Sequence, residues 1–475
     1  MDAAACHSSP YSGSWYPGDA VELREMLAHL FAESEQRTGG FTATRASGFV
    51  VPHAGLVYSG AVAAAAYRQV RAVQPRRIVL LGFSHSGAAR GVWIPEIDAF
   101  RTPLGDVPVD RELRAELLAS GAFGSLDERL LCDHSVEIQL PLLQAAAPDA
   151  RIVPVYVNRP DAERRRTAAQ ALASVTDPGT VLIASSDFTH YGRSFSFQPF
   201  PADDQASDRL RELDASVIDA AGTLDSEELH RVLSTTHATV CGHDPIRLLL
   251  EALQCLGTRE EIFQETLDYR TSGDITGDFE QSVSYAALGY FPYRAFELGP
   301  EDQQALLESA RRTLARYRAT GERMTIPADP VSGALSRRGA AFVTLHAQGE
   351  LRGCVGRRAS GDSLAAIVPS LALAAALDDA RFEALRRDEP EIDVEISVLT
   401  PMKRILSLGQ FRVNEHGALL EAGRAHGLLL PQVATERNWN ATQFLEALAR
   451  KAGAERGAYR DPDARVYVFR AQIIR

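Results

Sequence analysis

The sequence predicts an α/β N-terminal domain, in which helices flank a central mixed or parallel sheet, followed by a smaller α+β domain. Over the first part of the chain, uninterrupted apolar runs alternate with segments of helical composition, which is typical of a sheet covered on both faces. Further along, arginine becomes frequent and apolar and polar residues alternate more openly. We therefore expect domains at residues 1–293 and 302–475, joined by a linker at residues 294–301.

Strands and helices alternate along the first domain. The predicted strands lie in "ASGFVVPHAG", "RRIVLLGFSHSG", "ARIVPVYVN", "TVLIASSDFTHYG" and "QSVSYAALGYFPYR". The predicted helices include "SGAVAAAAYRQV", "DSEELHRVLSTT" and "DPIRLLLEALQCLG". Three of the strands are followed by a histidine just past their carboxyl ends. In open α/β sheets, sites are built at that edge, so we expect a site there.

The second domain begins after a break at Gly299-Pro300, where a long amphipathic helix follows. The segment "AAFVTLHAQGELRGCVG" contains two strands separated by "AQGE", which is a hairpin signal. A further strand lies in "EIDVEISVLTP". The pattern is typical of an α+β domain.

Composition narrows the possible partners and compartment. The 475 residues carry a net charge of −12, which argues against broad binding to nucleic acid or to a membrane surface, since both require a basic face. The five cysteines form no CxxC pair, so a disulfide framework is not expected. The N-terminus lacks the pattern of a signal peptide, and the apolar stretches are too short to cross a membrane. We expect a cytoplasmic protein.

Six residues of the first domain form the candidate site: His53, His85, His134, Asp187, His190 and Cys241. Several of them follow predicted strands and lie beside Gly, Ser or Thr, where loops allow side chains to converge on one cleft. Neutral imidazole suits Fe, Cu, Zn and Ni, and a thiolate favours softer ions. The set therefore predicts a transition-metal site, although any one of these histidines alone is more often a capping or core residue.

The N-terminal part resembles the MEMO family. The residues that carry the resemblance are "SGSWYPGD", "VPHAGLVYSG", "LLGFSHSG", "RTPLGDVPVD", "DHSVEIQLPLLQ", "SSDFTHYG", "VCGHDPI" and "SVSYAALGYF". The resemblance implies a fold and site like those of LigB-type class III extradiol dioxygenases, with cysteine in place of the usual glutamate ligand. It implies His53, His85 and Cys241 as metal ligands and His190 as the general acid or base, with Asp187 in the same pocket. For His134, a pocket role and a structural role stay equally open.

The C-terminal part resembles the AMMECR domain, on "SGALSRRGAAFVTLHAQGELRGCVG", "DVEISVLTPMKRI", "HGLLLPQVATERNWNATQFLEALARKAG" and "RVYVFRAQII". The resemblance implies a fusion of the B and A components of the AmmeMemoRadiSam system, with a radical-SAM protein as partner. The specific motif, Leu351 to Gly356, contains Arg352, Gly353, Cys354 and Gly356. Cys354 is either a reactive thiol beside the Arg352 guanidinium or a small buried thiol in a tight turn that the glycines allow.

Three functions follow as hypotheses, and whether the protein is an enzyme stays open among them. The first is a dioxygenase-like or other redox activity, with Fe(II) or Cu as the single metal ion and an unknown small molecule or modified peptide as substrate. The second is a protein that holds Cu(I) without turnover. The third is a scaffold that binds a peptide or the radical-SAM partner through the same pocket.

Overall fold

The computed structural model describes residues 5–87, 90–257, 261–329, 333–358, 361–389 and 392–475. The chain forms two compact units. The first comprises Met1–Thr38 and Thr44–Ala295, and the second comprises Gly39–Ala43 and Phe296–Arg475. The short segment Gly39–Ala43 of the second unit has no signal in the sequence pattern, because it is a loop between a helix and a strand of the first unit.

The helices and strands of the first unit alternate along the chain. The strands are β1 (Cys6–Ser8), β2 (Gly48–Val51), β3 (Arg77–Gly82), β4 (Gly91–Pro95), β5 (Ala99–Thr102), β6 (Gly105–Pro108), β7 (Gly124–Leu126), β8 (Arg151–Asn158), β9 (Thr180–Ser185), β10 (His190–Gly192), β11 (Ile262–Thr271) and β12 (Gln281–Pro292). The helices are α1 (Ala20–Thr38), α2 (Leu56–Val73), α3 (Arg111–Ala119), α4 (Glu128–Leu131), α5 (His134–Glu137), α6 (Gln139–Ala146), α7 (Ala162–Val175), α8 (Ala206–Gly222), α9 (Ser226–Thr236), α10 (His243–Leu256) and α11 (Ser272–Thr276).

A mixed sheet of nine strands forms the centre of this unit. Its strand order is β10-β12-β2-β9-β3-β8-β4-β7, and β11 pairs with β12. The four strands β2, β9, β3 and β8 run parallel, and antiparallel strands join them at both sides. Helix α2 packs on β2 and β12, and α10 packs on β3, β8 and β9. The prediction of a mixed sheet flanked by helices is confirmed.

The sheet order explains where a site can form. The strands β2, β9 and β3 are neighbours and parallel, so their carboxyl ends meet at one edge of the sheet. The loops after these three strands begin within a few residues of His53, Asp187 and His85. At such an edge, side chains from separate loops can meet.

The second unit is α+β and contains two sheets of four strands, in the orders β14-β13-β15-β20 and β16-β19-β17-β18. Its strands are β13 (Ala341–Ala347), β14 (Glu350–Arg357), β15 (Asp393–Leu399), β16 (Lys403–Ile405), β17 (Gly417–Ala422), β18 (Ala425–Leu429), β19 (Arg465–Phe469) and β20 (Ala471–Ile474). Its helices are α12 (Pro300–Thr320), α13 (Leu364–Leu377), α14 (Gln432–Arg437) and α15 (Ala441–Ala452). Helix α13 packs against β13 and β14.

Several local predictions hold. Helix α12 begins at Pro300, as the break at Gly299-Pro300 predicts, because a proline at the first helical position loses no hydrogen bond. The hairpin between β13 and β14 turns at Gln348 and Gly349, both with positive φ. Strand β11 has no counterpart among the predicted strands, because its sequence "IFQETLDYRT" contains three charged residues and little apolar alternation.

No described helix is both long enough and apolar enough to cross a bilayer.

Candidate functional site

His53 lies at the centre of the candidate site. It follows β2 and is 1% exposed. Its Nδ1 lies 3.0 Å from the Ser185 hydroxyl, which also accepts a hydrogen bond from the Gln139 amide at 3.0 Å. With Nδ1–H donating to Ser185, the lone pair is on Nε2. Burial lowers the pKa of His53 well below its usual value, so the imidazole is neutral, as a metal ligand must be.

His85 is oriented by a carboxylate. It follows β3, and its Nδ1 lies 2.8 Å from Oδ1 of Asp133. Asp133 also accepts a hydrogen bond from the backbone N–H of His85 at 3.0 Å. Burial tends to raise the pKa of Asp133, but the hydrogen bond from His85 and the nearby imidazoles outweigh it and lower this pKa to about 2. A carboxylate that binds Nδ1–H leaves Nε2 as the basic nitrogen, which is the common arrangement behind metal-bound histidines.

His134 stacks on His85, with ring centroids 4.0 Å apart. It begins the short helix α5, which Asp133 caps by accepting a hydrogen bond from Ser135. Trp15 packs on its ring at 4.5 Å. Burial lowers the pKa of His134 to about 4, so this third imidazole is also neutral at neutral pH.

Cys241 brings a thiol to His53. Its Sγ lies 3.2 Å from Nε2 of His53 and 3.6 Å from the backbone carbonyl oxygen of Asp187. Burial raises the pKa of the thiol, and the nearby Asp187 carboxyl adds to the rise. The sulfur is therefore a protonated thiol until a cation replaces the proton.

Gly242 explains how the thiol comes so close. A Cβ at this position would lie 2.4 Å from the carbonyl oxygen of Ser185 and 2.6 Å from the Ser186 side chain. Its backbone N–H donates to the Ser186 hydroxyl at 2.9 Å. The φ angle of Gly242 is −90°, so close approach, and not an unusual backbone angle, requires glycine here.

Asp187 lies in the loop after β9, and His190 begins strand β10. Oδ1 of Asp187 accepts hydrogen bonds from the backbone N–H groups of His53 at 2.7 Å and Ala54 at 3.3 Å. Burial raises the pKa of this carboxyl. Nδ1 of His190 lies 3.0 Å from the carbonyl oxygens of both Phe188 and Thr239. Because carbonyls only accept, Nδ1 carries a hydrogen, and Nε2 is the nitrogen that is left to exchange a proton.

Among the residues that the structure describes, two sets of three side chains have their ligand atoms within 4.8 Å of one another. One set contains His53, His85 and His134, and the other contains His53, Asp187 and Cys241. His53 belongs to both, so the residues expected as ligands from the sequence lie around one imidazole. His85 and Cys241 fall in different sets. His190 belongs to neither set.

Three residues of the site had no signal of their own in the sequence. Asp133, Ser185 and Gln139 orient the imidazoles, yet each is a common polar residue beside a strand or helix. Only Asp133 had an indirect signal, because it directly precedes His134 in "CDHSVE".

The structure corrects the interpretation of the motif around Cys354. Cys354 lies within strand β14, and not in a turn. Gly353 and Gly356 are not among the glycines that have a positive φ. A Cβ at Gly353 would lie 2.0 Å from the carbonyl oxygen of Ala375 in α13, and one at Gly356 would lie 2.1 Å from the Phe342 ring. The glycines therefore allow close packing.

The contacts of Arg352 also differ from the expectation that its guanidinium favours a thiolate at Cys354. Its Nε and one terminal nitrogen donate to the two carboxylate oxygens of Glu389, at 3.0 and 2.9 Å. This two-point ion pair accounts for the raised pKa of Arg352. The guanidinium is thus engaged by a carboxylate, and any cation that acts on Cys354 comes from elsewhere.

Comparison with known proteins matches each unit to a family model. The model described as "Memo-like protein" matches residues 8–289, and the AMMECR1 model matches residues 307–474. A MEMO1 family protein of Methanopyrus kandleri is 33% identical over 59% of this chain and 97% of its own length. The "Protein memo-1 homolog" of Caenorhabditis elegans is 32% identical over 59% of this chain and 81% of its own length.

Among solved structures, an uncharacterised protein of Pyrococcus horikoshii is 33% identical and covers 35% of this chain and 88% of its own, with a TM-score of 0.34. The Memo-like match spans more than half of the chain and includes all six candidate site residues. The chain therefore belongs to the Memo-like family, and in it the Memo-like domain is fused to an AMMECR1 domain.

Proposed function

We propose that the first unit binds one transition-metal ion, Fe(II) or Cu, through His53, His85 and Cys241, and that it carries out a redox reaction on a small molecule or a modified peptide. The observation that supports this most is the contact of 3.2 Å between Sγ of Cys241 and Nε2 of His53, beside two further imidazoles. Buried groups with this chemistry rarely meet for structural reasons alone.

The donor set fits such an ion. Burial keeps His53 and His134 neutral, and metal ligation requires neutral imidazole. Hydrogen bonds at Nδ1 of His53 and of His85 leave Nε2 of each ring to bind a metal. A thiolate together with imidazole suits Cu and Fe better than Mg²⁺ or Ca²⁺, which prefer oxygen ligands.

When bound, the ion would supply a Lewis acid and a centre for the activation of O₂. The protein's own residues supply the rest. Nε2 of His190 is the basic nitrogen of a ring fixed by two carbonyls, so it can take a proton from a bound molecule and return it. Asp187, held by two backbone N–H groups, provides a carboxyl beside it. The Phe195 ring packs edge-on against His190, and the Trp15 ring packs on His134.

Elemental analysis of protein purified anaerobically without an affinity tag tests this proposal, with wild type and Cys241→Ser side by side. About one equivalent of Fe or Cu in the wild type, lost in the variant, is the expected result. O₂ consumption by the Fe(II)-loaded wild type, absent in His190→Gln with its metal retained, is expected next. Metal-free protein that takes up no ion on reconstitution would contradict the proposal.

The thiol also favours a second candidate, a protein that holds Cu(I) without turnover. A thiolate is oxidisable, and Cys241 is half-buried against the imidazole of His53, which in turn packs against the ring of His134; this arrangement suits protection of a soft ion. A Cu(I)-loaded protein that consumes no O₂ would favour this function over catalysis.

We further propose that the fusion works with a radical-SAM protein as partner, on the modified peptide or small molecule above. Co-purification of such a protein with wild type and with Cys241→Ser tests this. Retention by both would assign partner binding to a surface other than the metal ligands, and retention by neither would contradict the partnership.

A further inference from the structure

The first unit contains a cleft that none of the functions above uses. Its volume is about 670 Å³, and it lies among helix α1, the ends of α2 and α6, and the hairpin of β5 and β6. Of the described residues, fourteen line the cleft; none of them belongs to the candidate site, and ten are apolar. A volume of this size, with mostly apolar walls and a few polar groups, is typical of a binding site for a small molecule.

The floor and the walls of the cleft are apolar. Leu27 and Phe31, four residues apart on α1, are buried and form part of the floor. Leu104 is half-buried, and Pro108 and Pro148 are exposed, so these three residues present apolar surface in the walls. An aliphatic chain that lies in the cleft would remove this wall surface from water, which is favourable in proportion to the area covered.

Two contacts hold the guanidinium of Arg71 at the cleft. Its central carbon lies 4.1 Å from the centroid of the Phe31 ring, and Nη2 donates to the carbonyl oxygen of Ala145 at 3.1 Å. Phe31 and Ala145 both line the cleft, so these contacts fix where the charge lies. The Arg71 side chain makes no ion pair and no other hydrogen bond with the described part of the chain. A guanidinium has five N–H groups, so several remain for a ligand.

The other charged residues of the cleft leave it positive. Arg24 donates only to the carbonyl oxygen of Ala20, at 3.4 Å, and it too forms no ion pair with a described carboxylate. Asp106 is the one carboxylate among the lining residues that the structure describes. It accepts two hydrogen bonds from Arg101, at 2.8 and 3.1 Å, so its charge is already compensated. The cleft therefore has a positive charge without a partner, on a chain whose net charge is −12.

We propose that this cleft binds an aliphatic monocarboxylate, whose carboxylate pairs with Arg71 and whose chain lies along the apolar walls. The inference does not depend on the metal site. A planar guanidinium matches the two oxygens of a carboxylate, and its stacking on Phe31 fixes the plane before the ligand arrives.

The charge and the apolar surface together select the ligand. A neutral molecule with the same chain would cover the walls but would form no charge-assisted hydrogen bond with Arg71. A cation with the same chain would be repelled by Arg24 and Arg71. A short carboxylate without a chain would pair with Arg71 in a site that is open to water, where an ion pair alone contributes little.

Three probes of equal chain length and different charge test the proposal on the full chain: octanoate (anionic), octan-1-ol (neutral) and octylammonium (cationic). Methyl NMR of leucine-labelled protein reports both the affinity and the place of binding, through the resonances of Leu27, Leu104 and Leu143, which line the cleft. We expect octanoate to shift these resonances and to bind about tenfold more tightly than octan-1-ol, because a hydrogen bond to a charged group is worth at least that factor. Octylammonium should bind most weakly.

Substitutions separate the charge from the apolar walls. Arg71→Gln should weaken the binding of octanoate about tenfold and leave that of octan-1-ol unchanged. Ala28→Phe, at an exposed position of α1 that lines the cleft, should fill the space and weaken both. Arg166→Gln removes an exposed arginine of α7 outside the cleft and, as the matched control, should change neither.

Three results would overturn the proposal. The first is no binding of octanoate, or binding that shifts only leucine resonances outside the cleft, such as those of Leu445 in the second unit. The second is equal affinity for the three probes in the wild type. The third is a preference for octanoate that survives in Arg71→Gln.

Discussion

Each of the two units contains a cysteine next to a glycine, but the surroundings and the role of this residue pair differ between the units. Cys241 lies in a loop beside the carboxyl ends of parallel strands, half-buried, with its Sγ 3.2 Å from Nε2 of the buried His53. Cys354 lies within an antiparallel edge strand, half-buried, with hydroxyl and cationic groups around it. In the first unit the glycine makes room for the thiol, and in the second it makes room for a helix. The same residue pair therefore serves a site in one unit and packing in the other.

This difference shows what surroundings do to a thiol. Around Cys241, burial and a carboxyl disfavour the thiolate, so the sulfur becomes a strong ligand only when a cation replaces its proton. Around Cys354, the Thr344 hydroxyl donates to the sulfur, and Asp379 and Arg381 bond to the backbone. The first arrangement offers the sulfur to a cation, whereas the second holds the strand in place.

The strongest test of the first arrangement is removal of the imidazole shared by both ligand sets. His53→Ala should weaken metal binding by more than the roughly 100-fold that loss of an orienting partner can cause, because every set then keeps only two ligands. Metal titration of apo-protein measures the change. His230→Ala, at an exposed position of α9, is the matched control. Equal affinity in the two variants would exclude His53 as a ligand.

A smaller loss is expected when only the orientation of His85 is disturbed. Asp133→Asn keeps the side-chain volume but removes the charge that holds Nδ1–H of His85. We expect metal affinity to fall about 10–100-fold, measured by the same titration. Asp177→Asn, which alters a carboxylate at the other end of the sheet beside Arg76, should have no such effect. A loss of thermal stability in Asp133→Asn without a loss of affinity would mean that Asp133 only caps α5.

In the second unit, the next prediction tests how closely helix α13 packs against Gly353. Gly353→Ala would place a Cβ 2.0 Å from the Ala375 carbonyl oxygen, so α13 must move away from the sheet. We expect a destabilisation of about 1–3 kcal/mol, seen as a lower thermal midpoint and faster hydrogen exchange in β13 and β14. Gly361→Ala, which would meet no atom within 4 Å, should change neither. An unchanged midpoint in Gly353→Ala would contradict the close contact.

The smallest expected effect is the number of protons that are released when the metal binds. His134, with a pKa of about 4, and His53, with a lowered pKa, carry no proton to release at pH 7, whereas the pKa of the Cys241 thiol is raised. Metal binding should therefore release about one proton, from the thiol. Calorimetry in two buffers of different ionisation enthalpy measures it.

The control for that count is Cys241→Ser, which should release none. As the pH falls toward the pKa of His134, protonation of the imidazoles competes with the metal, so affinity should fall further. Binding by the wild type at pH 7 without proton release would mean that the thiol is not a ligand.

The fold of the first unit could be predicted from the sequence because its buried parallel strands are continuous apolar runs. Residues that follow such strands, including His53 and His85, lie at a common edge, and their approximate location follows from topology. For His134 the sequence left a pocket role and a structural role equally open, because its place beside these two imidazoles depends on the position of the short helices α4 and α5. Nor did the pairing of ligands into two sets, which depends on differences of a few ångströms between loops.

The contacts of Cys354 in the second unit could not be predicted from the sequence, and the reason is physical. Arg381, whose guanidinium donates to the Cys354 carbonyl, is 27 positions away along the chain, and neither residue has a distinctive sequence context that points to the other. Arg352, the cation adjacent along the chain, is engaged by Glu389 instead. Proximity in sequence was misleading there, because the register shift of β14 beside Leu351 changes the alternation of side chains.

The close fit at Gly242 also bears on how this site can change over evolutionary time. Under the proposed function, a different ligating side chain at position 241 would occupy space that faces His53, so the backbone need not move. Any side chain at position 242 would collide with the carbonyl of Ser185. A lineage could therefore exchange its thiol for another donor, and with it the preferred ion, while the neighbouring glycine stays the same. Position 241 can therefore vary with the proposed ion, whereas position 242 is restricted to glycine.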